Sequence, residues 1–482
     1  MDKEAILESA KSVEVLCFFG FEPSEIFCFL EKKPGKTYLF FKEQASFFNL
    51  EEDVYEATLG DFSYFESFCK QHVFQDFFYS INPQAAAKVS SFASTCKEIE
   101  WLCHLRASDY QDFGLSVFRN MVETAKKPID ADFFLLKKNA LKGVPAIICG
   151  AGPSLASHIE ELKKKQTKAV VFAGGASLGV LTREGISVDI AAGIDPNPSY
   201  ERTLMQGSFE APFFSQGRFS FRMLETIHGQ VFRVPSNPGY PLEEWFQDGV
   251  SFDGGWTVST FMTAIAAHFG CNPICLVGVD LASFEEDLYA LNVSLQDPSE
   301  GIIWHDPVLG SCKTKKDWVL SAKWFEDLVQ RFSDRIFYNA SSQGLSLGMP
   351  YKSLGSFLSA LPDRDVSSLV WSISSSWRQS VGEDLKWNVL KKSIEDSLCF
   401  TTKILDLFAQ FYPRDPSEKG LFVLALLDLQ EELFYQKVLA PLWDIWQFPM
   451  ARKFLDPYAR EVNRFLFFQK ILVQYKECLC ST

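Results

Sequence analysis

The stretch Cys149-Gly-Ala-Gly-Pro-Ser-Leu155 has the residue types of an anion-binding turn. The apolar run before it, Ala146 to Cys149, reads as a short strand covered on both faces, as in a parallel sheet. Gly150 and Gly152 carry no Cβ, so their backbone can approach a ligand closely. Pro153 suits the first position of a helix, where its missing N–H would have had no partner. Free N–H groups, a helix dipole and the Ser154 hydroxyl then converge on one spot, which is the chemistry of a phosphate cradle. An ordinary strand-to-helix turn fits the same residues.

Similar groupings follow downstream: Gly174-Gly175-Ala-Ser177, Asp195-Pro-Asn197-Pro198, Asp253-Gly-Gly-Trp-Thr257 and Gly278-Val-Asp280. An acidic side chain at the carboxyl end of a strand can hold Mg²⁺ or a sugar hydroxyl, which makes Asp195 and Asp280 candidates. Turn duty for the glycines, capping by Asp195 and a helix N-cap at Asp280 are the structural alternatives. His305, read as a loop residue in Ile-Ile-Trp-His-Asp306, titrates near neutral pH and can serve as a general base or play a structural part. His268 sits where a helix C-terminus accounts for it. Trp256 and Trp304 fit either core packing or stacking on a base or sugar.

The elements that must position these residues alternate. Strands are expected at Ala146–Cys149, Lys168–Ala173, Asp189–Ile194, Val231–Val234, Ile274–Val277 and Ile336–Asn339. Helices are expected at Ser154–Lys165, Leu178–Glu184 and Val258–His268. This rhythm predicts an α/β class: a central doubly wound, mostly parallel Rossmann-like sheet, with ligands at the carboxyl ends of its strands. Residues 1–85 read as a smaller α/β unit with strands at Val13–Phe19 and Thr37–Phe41, and a single glycine, Gly20, at its first turn. Residues 86–142 read as a helical connector, with helices at Ser94–Leu105 and Gly114–Lys126. Residues 143–355 form the central domain, and 356–482 an all-helical region whose aromatic stripes suit a bundle that closes on itself, docks on the α/β domain or makes a homo-oligomer.

A chain of 482 residues exceeds one core, so several domains are expected. A net charge of −14 disfavours nucleic acid or an anionic membrane as partner, since either wants a basic face. The 46 Phe call for an aromatic-rich core. The 12 Cys show neither CxxC pairs nor zinc spacing, and fit reduced thiols in a cytoplasm. The first residues are acidic and amphipathic, unlike a secretory leader. No uncharged apolar run reaches the roughly 18–20 residues of a transmembrane helix.

Five blocks together resemble the family that unites motility-accessory-factor (Maf) flagellin glycosyltransferases with the MptE-like 6-hydroxymethylpterin diphosphokinases. They are Cys149–Leu155; Ala173-Gly-Gly-Ala-Ser-Leu-Gly-Val-Leu181 with Glu184-Gly-Ile-Ser-Val-Asp189; Gly193-Ile-Asp195-Pro; Gly254–Thr257 with Val277-Gly-Val-Asp280-Leu-Ala282; and Tyr338-Asn-Ala-Ser-Ser-Gln-Gly344. Ser187 stands where the family usually has Pro. The first block is also similar to the nucleotide-binding turn of bacterial sialyltransferases, which use a CMP-activated acid sugar.

The resemblance implies a nucleotide-binding set of Gly150, Gly152, Pro153, Ser154, Gly174, Gly175, Ser177, Asn197, Gly254, Gly255 and Thr257, with Asp195, Asp280 and His305 as catalytic candidates. It implies transfer of an acidic, nonulosonic-acid-type sugar from a CMP donor to a protein hydroxyl, with no cofactor required. The alternatives are a diphosphokinase using ATP, with Mg²⁺ on Asp195, and a non-enzymatic binding descendant.

Overall fold

The computed structural model describes residues 3–43, 53–125, 131–132, 138–165, 168–198, 210–235, 240–246, 251–282, 302–306, 310–363, 365–366, 368–370, 384–411, 420–454 and 456–480. The chain divides into two units, Met1–Asp112 with Asp396–Ile471, and Phe113–Glu395 with Leu472–Thr482. No described helix is long and apolar enough to cross a membrane.

The first unit holds four parallel strands, β1 (Val15–Phe19), β2 (Thr37–Lys42), β3 (Val54–Thr58) and β4 (Phe77–Ile81), in the order β3-β2-β1-β4. The register sets Phe18 beside Phe40 and Phe19 beside Phe41, and both pairs stack, at 5.0 and 4.7 Å between ring centres. All four rings are fully buried, so much of the chain's Phe content goes into this core. The unit's second segment is helical and comprises most of Asp384–Phe411, then Gly420–Glu431, Ala440–Lys453 and most of Pro457–Cys480.

Strand order reverses between β1 and β4, the position where a doubly wound sheet opens to a ligand. Here that position is filled. The Asn82 amide donates to the Gly20 carbonyl at 2.8 Å, and a Cβ on Gly20 would come within 2.6 Å of Ala85.

The second unit is built on eight strands: β5 (Ala131–Asp132), β6 (Ala146–Cys149), β7 (Val170–Gly174), β8 (Ile190–Gly193), β9 (Phe213–Gln216), β10 (Val231–Val234), β11 (Ile274–Val277) and β14 (Phe337–Asn339). Their order is β14-β11-β6-β7-β8-β9-β10-β5, with every neighbouring pair parallel. A hairpin, β12 (Ile302–Asp306) and β13 (Gly310–Thr314), stands outside this sheet.

Period-two alternation gives each strand two apolar faces. Ile147, Cys149, Val171, Ala173, Cys275 and Val277 pack with Leu155, Leu162, Leu178, Leu181 and Phe357. The opposite face meets helix Val258–His268, which lies on β6, β7 and β8. That helix is buried along most of its length, and its sequence is accordingly apolar or small, with no Asp, Glu, Lys or Arg.

Several expectations change. The two helices expected at Ser94–Leu105 and Gly114–Lys126 form one helix, Ala86–Ala125; Lys126 lies outside the described residues. The single helix expected at Ser154–Lys165 begins as a 3₁₀ segment, Pro153–His158, and turns α-helical at Ile159. His305 belongs to strand β12, paired with Ser311, and not to a loop. Strands β3, β4, β5 and β9 lacked a clear period in the sequence.

Close packing at the strand ends supplies a test. A Cβ on Gly193, the last residue of β8, would overlap the buried Phe219 ring. Gly193→Ala is expected to cost about 1–3 kcal/mol in chemical denaturation, with Phe219→Leu recovering part of the loss.

Candidate functional site

In the large sheet the chain leaves β6 toward β7, while β11 leads away on the other side toward β14. The carboxyl ends of β6 and β11 therefore flank the topological switch point, where such sheets take their ligands. The loops after β6, β11 and β14 meet there. The Ser154 N–H donates to Asp280 Oδ2 at 2.8 Å, and the Ser154 hydroxyl donates to Asp280 Oδ1. The Ser154 and Ser341 hydroxyls are 2.8 Å apart.

Two glycines make room for this arrangement. A Cβ on Gly152 would lie 2.6 Å from Asp280 Oδ2, and one on Gly344 would lie 2.6 Å from the Asp280 Cα. The Gly150 and Gly152 N–H groups donate to the Val277 and Gly278 carbonyls, both at 2.8 Å. The turn thus spends its donors on the β11 loop. Asp280 is buried, and burial pushes its carboxyl pKa up, opposed by the hydrogen bonds from Ser154 and Ser341 and by the charge of His158. Leu281, the next residue, has φ 54°, in the left-handed region that a branched side chain rarely enters. Its carbonyl accepts from the Thr314 hydroxyl at 2.6 Å.

The neighbouring strands bring further residues to the same edge. Gly175, with φ 55°, starts helix Ala176–Arg183. The Ser177 hydroxyl is buried and exchanges hydrogen bonds with the Gly174 backbone at 2.9 and 3.1 Å, so it holds the turn. A Cβ on Gly174 would lie 2.5 Å from both the Ala192 carbonyl and Val258. The end of β7 therefore adjoins the start of helix Val258–His268.

Thr257 caps that helix, accepting from the Thr260 N–H at 3.3 Å. Gly254 and Gly255 precede it in a loop pinned by Asp253. The Asp253 carboxylate takes the Trp324 indole N–H at 2.7 Å and the Gly255 N–H at 3.2 Å, and pairs with Arg331 at 2.9 Å. Trp256 is one of the few exposed large hydrophobics, 37 % accessible, so it is not a core residue.

After β8, Asp195 Oδ1 accepts from the Asn197 N–H at 3.0 Å, the geometry of a capped turn. The buried Asn120 amide holds this loop, donating to the Pro196 and Arg218 carbonyls, both at 2.8 Å. Among the described residues no three His, Cys, Asp or Glu side chains gather to hold a metal ion. Asp280 takes both Ser154 donors, and Asp195 Oδ1 takes the Asn197 N–H. The side chains of Trp304 and His305 lie outside the described set.

Asn120 and Trp324 carry no sequence signal, because each is one polar or aromatic residue outside any glycine grouping, and Asp253 headed its grouping without a stated role. Ser341 stood inside the fifth block but had no stated role.

Residues 116–286 match the family model described as 6-hydroxymethylpterin diphosphokinase MptE-like. Among solved structures, the Maf glycosyltransferase from Magnetospirillum magneticum AMB-1 shares the fold, with a TM-score of 0.56 and 13% identity over 97% of this chain and 80% of that one. No curated protein matches the chain. The family model spans the first four of the five blocks, the fifth, with Ser341, lying beyond it, and the Maf structure supports the fold.

Two measurements probe the frame. Asn120→Ala removes its hydrogen bonds to the Pro196 and Arg218 carbonyls and the one it accepts from the Phe221 N–H, and is expected to cost about 1–3 kcal/mol in denaturant melts. His268 is pushed down to about 4, by burial first and then by Lys138 and Arg335. Its unfolded form binds a proton nearer pH 6.5, so stability falls as pH drops from there toward 4. His268→Gln is expected to flatten thermal stability across that window, and an unchanged pH slope would count against this assignment.

Proposed function

We propose that this protein is a Maf-type glycosyltransferase that moves an acidic, nonulosonic-acid-type sugar from a CMP-activated donor to a protein hydroxyl. The observation that carries this reading is the convergence of the β6, β11 and β14 loops at the switch point, with the β7 and β8 loops on adjoining strands. Such an edge can hold an extended ligand, nucleoside at one end and sugar at the other. The match to the MptE-like family and the shared Maf fold support it.

In this reading the acceptor oxygen attacks the anomeric carbon, and the bond from that carbon to the phosphate oxygen breaks. CMP leaves with the bonding pair, and the acceptor proton passes to a base. His305 is the candidate base, and Asp195 orients the donor. The leaving group is a phosphate monoester dianion, so fixed donors can stabilise it without a metal.

A second reading, diphosphate transfer from ATP to a pterin-like alcohol, is favoured by the description of the family model that matches residues 116–286. Titration calorimetry on the full chain separates the two. CMP is expected to bind without Mg²⁺ and ATP is not. Binding of ATP only with Mg²⁺ would replace the first reading by the second, and absence of both would leave a non-enzymatic role.

A further inference from the structure

The Gly150–Ser154 turn has the sequence of a phosphate cradle, yet its place is taken. A carboxylate and a phosphate ask for the same things: N–H and O–H donors converging on oxygen, and a backbone without Cβ so that the oxygens can come close. The Asp280 carboxylate has all of these. It accepts the Ser154 N–H at 2.8 Å and the Ser154 hydroxyl, with Ser341 behind that hydroxyl. It sits over Gly152 so closely that a Cβ there would lie 2.6 Å from Oδ2 and 2.8 Å from Cγ.

The contact is long-range, 126 residues apart in the chain, so it is not a local cap. Asp280 is also fixed from behind. Its carbonyl accepts the Leu345 N–H at 2.8 Å, and Gly344 packs against its backbone.

We infer that Asp280 is a built-in anion that fills the phosphate position of the Gly150–Ser154 turn, and so acts as a specificity-determining residue that excludes a ligand phosphate from that position. Like charges a few ångströms apart repel strongly at a partly buried site, and the donors a phosphate would need are already engaged. A nucleotide bound at this edge therefore places its phosphate toward the β7 and β8 loops. The group that comes up against the β6–β11 junction is one that donates hydrogen bonds, such as a sugar hydroxyl. This last step rests on the donor reading above, whereas the exclusion itself does not.

Asp280→Ala vacates a carboxylate-sized place lined by the Ser154 N–H and the two serine hydroxyls. Asp280→Asn refills it with a neutral acceptor. The melting temperature of the full chain, measured with acetate or inorganic phosphate against chloride at equal ionic strength, is expected to rise with either anion for Asp280→Ala only. The expected gain in phosphate affinity over the unsubstituted protein is about tenfold or more. Equal anion stabilisation of the unsubstituted protein and Asp280→Ala would overturn the inference.

Should Asp280→Ala fail to fold, the unsubstituted protein decides by hydrogen exchange. Peptides spanning Gly150–His158 are expected to show the same protection with and without millimolar pyrophosphate, and pyrophosphate-induced protection there would sink the idea. CMP binding by the same protein is scored separately. Its absence removes the donor reading and leaves the exclusion standing.

Discussion

A carboxylate is costly to bury unless hydrogen-bond donors surround it. Asp280 is buried, and its donors come from Ser154, with Ser341 reinforcing them. That requirement ties three loops together that are far apart in the chain. It also accounts for residues that otherwise look interchangeable. Gly152 and Gly344 leave no room for a side chain because the Asp280 carboxylate and backbone occupy it. The Gly150 and Gly152 N–H groups are free to brace β11 because the anion is met by Ser154 instead. Charge and hydrogen bonds join the switch-point loops above the apolar cluster of Cys149, Leu155, Val277 and Ala340.

The two parallel sheets offer a comparison within one chain. Both have a strand pair where the order reverses, β1 with β4 and β6 with β11. At the first, Asn82 and Ala85 close the position with a neutral amide and a methyl group. At the second, a buried carboxylate and two hydroxyls stand in the same topological place. Sheet topology alone does not decide which end is chemical. The residue types at the strand ends decide it. The single glycine at Gly20, against the pair Gly150 and Gly152, already pointed to that contrast.

The central sheet was legible because its strands are short, apolar on both faces and followed by glycine or aspartate. Ala146–Cys149, Val231–Val234, Ile274–Val277 and helix Val258–His268 lie where the pattern put them. Strand β9 was not legible, since Phe213–Gln216 sets two polar residues after two apolar ones and shows neither an apolar run nor an alternation. The helix Ala86–Ala125 read as two because polar residues at Ser108–Gln111 interrupt its apolar spacing. At the site, sequence placed Ser154 and Asp280 near strand ends but could not pair them. Their contact depends on β11 lying beside β6, which no local pattern encodes. The donors of the Gly150–Ser154 turn are visible in the sequence, but their partners on the β11 segment are not.

Asp280 and Leu281 impose two separate costs on adjacent residues. One is a carboxylate taken out of water; the other is a leucine held at φ 54°, a backbone region usually left to glycine. A turn chosen for stability would have glycine at 281 and an apolar or amide side chain at 280, since well-packed neutral groups commonly match or exceed a buried charge. Neither substitute has been taken, although Gly278 and Gly344 show that glycine is used freely in the same few loops. The strain and the charge both fall where β11 delivers its loop to the open edge of the sheet. Local rules broken together at a topological switch point are what a segment shaped for a partner, and not for the fold alone, would show.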